Sequence, residues 1–333
     1  MALALAWAPA CTVADPLPGF GGGGGSVGVT LGPASEDSGD GSDTGGDETD
    51  DGSGTGDDDG TGIEPPACSA PDLLVVLDRT GTMYLDPAGN VPAAVEQSRW
   101  AIAVGALEQV VQALDGEGTP LDQTVRFGLE LFPQHHPDCS TVEESIAGVF
   151  PLNPTCQGPE LLVEPALGTG ASVAGQIDAS TGELCESTPL RLAIEGAGSW
   201  LAPLASPDHE QLVLLVTDGV DTDSFCSSES VDGYPDSLVA VQQLQAQGVG
   251  TLILGVGTGF GTTGSVHQAM NDFACAGGMA PDPELNCVPG AMGLVAVPGL
   301  AQALYFSAGD SAALVDRLVL TTEQVCCGCV PVG

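Results

Sequence analysis

Pro71-Asp72-Leu73-Leu74-Val75-Val76-Leu77-Asp78-Arg79-Thr80-Gly81-Thr82-Met83 holds five consecutive apolar residues that end at an aspartate, followed by two hydroxyl side chains one residue apart. A short apolar run bounded by turn signals predicts a fully buried strand of a parallel sheet over Asp72 to Asp78. Asp78, Thr80 and Thr82 then sit where the chain turns over the rim of the sheet, which in open α/β sheets is where ligands bind. One carboxylate and two hydroxyls converging there are hard oxygen donors, suited to Mg²⁺, Mn²⁺ or Ca²⁺ rather than to a transition metal.

At these residues the chain resembles the von Willebrand factor type A domain, whose metal-ion-dependent adhesion site begins Asp-x-Ser-x-Ser after the first strand. Both serines are threonines here, which keeps the hydroxyl oxygen and adds a methyl. The family takes further ligands from a threonine before a later helix and from an aspartate at the end of a central strand. Thr188 in Ser-Thr-Pro-Leu and Asp218 in Val-Thr-Asp-Gly match these by motif and order. The resemblance covers Asp72 to Val325. It implies a metal set of Asp78, Thr80, Thr82, Thr188 and Asp218, with one coordination position left for a carboxylate of a protein partner. Asp221 and Asp223, just past Asp218, are candidates to hold water around the ion, against the alternative of a solvated acidic loop. Taken singly, each residue has a plainer role: Asp78 caps a turn, Thr188 caps a helix, and Asp218-Gly219 forms a turn.

The rest of the chain reads as alternating elements, which specify a doubly wound α/β fold with a mostly parallel sheet and helices on both faces. Helical spacing runs from Val91 to Leu114, and a strand follows over Thr124 to Phe132. An excursion with Cys139 and Cys156 leads to a short strand near Leu161 to Glu164 and a helix over Ala171 to Asp178. Ser187 or Thr188 is the expected N-cap of a helix ending near Leu201, with Pro189 at its first position. Strands are expected at Gln211 to Val216, Val249 to Val256 and Ala303 to Phe306, and helices at Ser237 to Gln247, Ser265 to Ala276 and Ser311 to Val325.

Composition narrows the function further. The 333 residues carry 45 acids against five arginines and no lysine, a formal charge of −40. That balance excludes electrostatic binding to nucleic acid or to an anionic membrane surface and favours cations or a cationic partner. Residues 1–14 are apolar but too short to span a bilayer, and read as the tail of a secretory signal. Ala8-Pro9-Ala10-Cys11 loosely resembles a bacterial lipobox, which makes Cys11 a candidate for lipidation and anchoring to a membrane. Residues 15–67 form a Gly/Ser/Thr/Asp-rich linker, with twelve acids and no base between Ser35 and Glu64. Such a segment predicts a disordered acidic tether of about 40 Å root-mean-square span. Its Asp-Gly-Ser-Asp runs lack the glutamate that ends an EF-hand loop. Residues 68–329 form the expected folded domain.

Eleven cysteines point to an oxidising, extracytoplasmic compartment and to disulfides. The expected pairs are Cys139 with Cys156, Cys185 with Cys226, Cys275 with Cys287, and Cys68 with one of Cys326, Cys327 and Cys329. The rival for the last group is a zinc site built on the C-terminal cysteines. Function follows as an extracytoplasmic protein, not an enzyme, that binds a partner through Mg²⁺, Mn²⁺ or Ca²⁺ in an adhesion or envelope-assembly role. The alternative is a disulfide-stapled domain whose metal site is structural or lost. A metal-dependent phosphohydrolase fits less well, since the haloacid-dehalogenase pattern needs an acid where Thr80 stands and no phosphate-cradling loop is present. His135, His136, His209 and His267 make no metal-spaced set with the cysteines.

Overall fold

The computed structural model describes residues 70–115, 117–149, 158–180, 183–185, 188–206, 209–219, 234–257, 265–291 and 293–327, without the side chains of 310 and 320–327. Cys11, the linker, Cys68, Cys156, Asp221, Asp223, Cys226 and Cys329 lie outside the described residues, as do the side chains of Cys326 and Cys327.

Strand β1 (Asp72–Asp78) is buried along its whole length. Because successive side chains of a strand point to opposite faces, Leu73, Val75 and Leu77 enter one apolar layer while Leu74 and Val76 enter the other. Helices α1 (Arg99–Val111), α3 (Gly170–Ala179) and α8 (Ser311–Cys327) cover the first face, whose core includes Trp100, Leu107, Ile177 and Leu314. Helices α4 (Leu190–Leu201), α5 (Tyr234–Ala246) and α6 (Ser265–Ala276) cover the second, through Ile194, Val241 and Phe273.

Strands β2 (Arg126–Phe132), β4 (Gln211–Thr217) and β5 (Val249–Gly255) run parallel to β1, and β3 (Glu160–Ala166) closes one edge antiparallel to β2. A two-residue β8 (Phe306–Ser307) closes the other edge, so the order is β3-β2-β1-β4-β5-β8. This is the doubly wound, mostly parallel architecture that the alternating pattern specifies. The chain leaves β1 toward β2 on one side and returns to β4 on the other. The upper ends of β1 and β4 are therefore the switch point, where a crevice forms in such sheets.

Several boundaries differ from the periodicity reading. Helix α1 starts at Arg99 and not near Val91, because the Ser98 hydroxyl accepts the Ala101 N–H at 3.1 Å and caps it there. Helix α4 starts at Leu190 with Pro189 as its N-cap and no side-chain cap, so Thr188 does not serve that role. The excursion after β2 holds a short helix α2 (Val142–Ile146) with a Thr141/Glu144 capping box. A hairpin of β6 (Cys287–Gly290) and β7 (Gly293–Ala296), preceded by α7 (Pro283–Asn286), falls where no element is expected from the sequence. Tertiary contacts hold it: Asp272 on α6 accepts the Ala296 N–H at 2.8 Å, and Cys275 is bonded to Cys287.

The disulfide near the rim corrects two expected pairs. Cys139 joins Cys185, not Cys156, and Cys185 is therefore unavailable to Cys226. The cause is a backbone bridge: Ser140 and Leu184 exchange both N–H···O bonds, at 2.9 and 2.7 Å, and bring their neighbours to a Cα separation of 4.4 Å. Among the described residues no helix is long and apolar enough to cross a membrane.

Candidate metal site

The last residue of β1, Asp78, is fully buried, and its carboxylate organises the loop that follows. Its Oδ1 accepts the Thr80 N–H at 2.8 Å, and its Oδ2 accepts the Thr217 hydroxyl at 2.7 Å from the end of β4. The chain then makes a 3₁₀ turn over Gly81–Tyr84, anchored by the buried Met83. That turn brings the Thr80 and Thr82 hydroxyls to 3.2 Å of one another. Thr82 in turn donates to Asp218 Oδ1 at 3.0 Å. Asp78, Thr80, Thr82 and Asp218 thus form one continuous network across the switch point between β1 and β4.

Two fixtures hold this loop. Arg79, 1% exposed, donates from Nε to the Pro133 carbonyl at 2.6 Å and from Nη2 to Glu160 at 2.5 Å, tying the loop to β3. On the other side the Cys185 N–H donates to the Arg79 carbonyl at 2.9 Å, and Cys185 bridges Thr80 in parallel. The Cys139–Cys185 disulfide therefore sits against the backbone of the site loop. Thr188 follows Cys185 by three residues, with its carbonyl accepting the Leu190 N–H at 2.8 Å.

Electrostatics separate this site from an ordinary polar rim. Burial, and then the nearby charge of Asp218, push the Asp78 carboxyl up to about 7, against the opposing hydrogen bonds from Thr217 and Thr80. Burial also raises Asp218, opposed by Arg99 and Thr82. Arg99 Nη1 lies 2.6 Å from Asp218 Oδ2, whereas no basic side chain among the described residues pairs with Asp78. Two inward carboxylates with one internal cation leave a charge deficit that a divalent ion of hard-oxygen preference would fill. Each hydroxyl keeps lone pairs for such an ion, since Thr82 directs its proton to Asp218. No three His, Cys, Asp or Glu side chains converge anywhere among the described residues, so a site here draws on hydroxyls as well as carboxylates.

The structure thus gathers four of the five expected ligands into one hydrogen-bonded set. Two contributors carried no role in the sequence: Thr217, whose hydroxyl orients Asp78, and Arg99. The signal for Thr217 was its place at a strand end beside Asp218. For Arg99 it was scarcity, as one of only five bases.

No family model matches the sequence, and no curated protein matches it. Solved structures overlap it only distantly. Proximal thread matrix protein 1 from the mussel byssus aligns at 12% identity and a TM-score of 0.43, over 76% of this chain and 48% of its own. The manganese-loaded TRAP protein of Plasmodium vivax aligns at 15% and 0.43, over 75% and 74% of the two chains. The pilus adhesin SpaC of Lactobacillus rhamnosus GG aligns at 13% and 0.46, over 78% of this chain and 31% of its own. The chain spans about half the length of the mussel protein and a third of the adhesin. At this distance the functional argument rests on the chain's own geometry.

Proposed function

We propose that residues 68–329 form a type A domain that binds a protein partner through a divalent cation held by Asp78, Thr80, Thr82, Thr188 and Asp218. The observation that carries this reading is the fully buried Asp78, which faces a second carboxylate and two hydroxyl ligands without an internal cation of its own. Bound there, the ion would supply positive charge toward an acidic group of the partner. The residues do the rest: Thr217 and the Thr80 amide fix the Asp78 carboxylate, Thr82 is aimed by Asp218, and a carboxylate of the partner completes the shell. Mg²⁺ is the expected physiological ion, with Mn²⁺ or Ca²⁺ as substitutes. The reading includes no catalytic step, and Thr80, where a phosphohydrolase would need its acid, is a hydroxyl engaged with Thr82.

The same proposal places the domain outside the cytoplasm, on an acidic tether at 15–67, secreted or anchored through Cys11. The Cys139–Cys185 and Cys275–Cys287 disulfides support an oxidising compartment. Calorimetric titration of the full chain with Mn²⁺ tests the site: saturable one-site binding in the native protein, absent in Asp78→Ala, is expected, and equal binding by both would refute the assignment. A second reading, in which the metal site is lost, is favoured by Arg99 on Asp218 and predicts no saturable binding by the native chain.

A further inference from the structure

Arg99 is held in a slot beside the candidate metal site. As the first residue of α1 it donates its backbone N–H to the Leu85 carbonyl at 2.8 Å. Its Nε donates to the Asp86 carbonyl at 3.1 Å, and Nη1 meets Asp218 Oδ2 at 2.6 Å. The slot walls are glycines with positive φ. A Cβ at Gly257 (φ +132°) would stand 3.2 Å from Arg99 Nε, and one at Gly89 (φ +83°) would stand 3.5 Å from Nη2. A side chain at Gly257 would press on the guanidinium, and one at either glycine would strain a positive-φ backbone. With 13% of its side chain exposed, Arg99 is a fixed charge rather than a solvated one.

We propose that Arg99 is a resident counter-cation that sets the affinity of the adhesion site: it competes with the divalent ion for Asp218 and leaves the bound ion more strongly electrophilic toward an external carboxylate. This rests on the metal reading above and adds to it. Guanidinium stays protonated at any physiological pH, so its charge is a constant of the site. Without it, two ionised aspartates would neutralise a divalent ion. With it, the ion and its surroundings keep one net positive charge, which attracts an acidic ligand and lowers cation affinity, because affinity for hard cations rises with the number of ligand charges. The Asp86 carbonyl gives Arg99 an anchor that is independent of Asp218, so the guanidinium would keep a partner in the slot when Asp218 is shared with an ion. The same carboxylate thus serves the guanidinium in the absence of the ion and shares itself in its presence.

The full chain is titrated with Mn²⁺ by calorimetry as the native protein, Arg99→Gln and Arg99→Lys. The expected result is about tenfold tighter Mn²⁺ binding by Arg99→Gln, equivalent to about 1.4 kcal/mol, with Arg99→Lys within about threefold of native because the charge is kept. In the Mn²⁺-saturated state, acetate as a carboxylate probe is expected to bind Arg99→Gln more weakly than native. Unchanged or weaker Mn²⁺ binding by Arg99→Gln, while Asp78→Ala still abolishes binding, overturns the role of Arg99 and leaves the metal site standing. Absence of binding in every protein overturns the metal site, and this proposal falls with it. Should Arg99→Gln fail to fold, NMR of the arginine Nε–H groups of the native chain decides instead, since there are only five. One signal, lost in Arg99→Lys, is expected to shift on Mg²⁺ saturation, and an unmoved spectrum overturns the proposal.

Discussion

Strand β1 begins and ends with an aspartate, and the two ends are treated differently. Both Asp72 and Asp78 have no exposed surface. At the lower end Asp72 Oδ2 meets His209 Nε2 at 3.0 Å and Gln211 Nε2 at 3.2 Å, and Oδ1 forms a 3.2 Å ion pair, without a directed hydrogen bond, to Arg126. At the upper end Asp78 meets an amide, a hydroxyl and the field of another carboxylate. One burial is balanced by the chain's own base; the other is balanced only by hydrogen bonds, at the place where the fold makes a crevice. A buried carboxylate without a counter-charge is costly, and its presence at the switch point supports the proposal of a site completed by a cation from outside.

The sharpest way to break that contrast is to delete each aspartate. Asp78→Ala is expected to abolish saturable Mn²⁺ binding and to cost less metal-free stability in urea denaturation than Asp72→Ala. The reason is that Asp78 has no counter-charge to lose and the Thr217 hydroxyl keeps the Gly219 carbonyl as acceptor. Asp72→Ala is expected to leave Mn²⁺ binding within about twofold while costing about 2–3 kcal/mol, because Arg126, His209 and the buried Gln211 lose their shared acceptor. If the two variants behave alike, the ends of β1 are equivalent and the contrast fails.

Proton linkage gives the next largest effect and brings in a third buried acid. Glu130, in the middle of β2, is fully buried with neither oxygen hydrogen-bonded, and burial pushes it up to about 9. It lies toward α4, where a Cβ on Gly196 would come 3.5 Å from Glu130 Oε2, an ordinary contact, and would clash with Pro159 Cγ. Asp78 and Glu130 both have folded-state pKa values raised above their unfolded ones, so the folded chain keeps protons that the unfolded chain has released. The contribution of these two groups to metal-free stability is therefore greatest below about pH 4 and falls as pH rises, by up to about 1.4 kcal/mol per unit for each. The Asp78 contribution is exhausted near pH 7 and that of Glu130 near pH 9. Urea midpoints against pH are expected to flatten above pH 7 in Glu130→Gln, and in Asp78→Asn to fall less steeply than native below pH 7 while keeping the native slope above it. Unchanged slopes in both would show that these acids are ionised in the folded chain.

The two disulfides offer a smaller test of which parts of the molecule serve the rim. Replacing Cys139 and Cys185 by serine is expected to weaken Mn²⁺ binding about tenfold, since Cys185 braces Arg79 and Thr80, and a misplaced ligand costs about this much. Replacing Cys275 and Cys287 is expected to lower stability by about 2–4 kcal/mol in urea while leaving Mn²⁺ affinity unchanged, because that bridge fastens only the β6–β7 hairpin to α6. The smallest expected effect is Thr82→Ser, which keeps the hydroxyl and changes Mn²⁺ affinity less than threefold by calorimetry, against about tenfold for Thr82→Ala.

What was legible in the sequence follows from how local the cause was. Strand β1 runs over Asp72–Asp78 and α6 over Ser265–Ala276 as expected, because an unbroken apolar run and a strong helical period each report their own burial. The hairpin over Cys287–Ala296 was hidden because Pro289, Gly290 and Gly293 read as loop, and its order comes from Asp272 and Cys275 on a different element. The Cys139–Cys185 bond was hidden for the same reason: nearness in sequence favoured Cys156, whereas the Ser140–Leu184 bridge decided the partner.

By itself the sequence determined the alternation of buried strands and helices, and hence the doubly wound sheet, since the two periodicities depend only on residues a few positions apart. It also determined which side chains stand at the rim, because Asp78, Thr80 and Asp218 follow strand ends that such patterning locates. Only the tertiary structure decided that Thr82 is aimed at Asp218, that Thr217 holds Asp78, and that Arg99 lies against the same carboxylate across 119 residues of chain. Charge balance inside a buried site is a sum over neighbours in space, and no window along the chain contains them all.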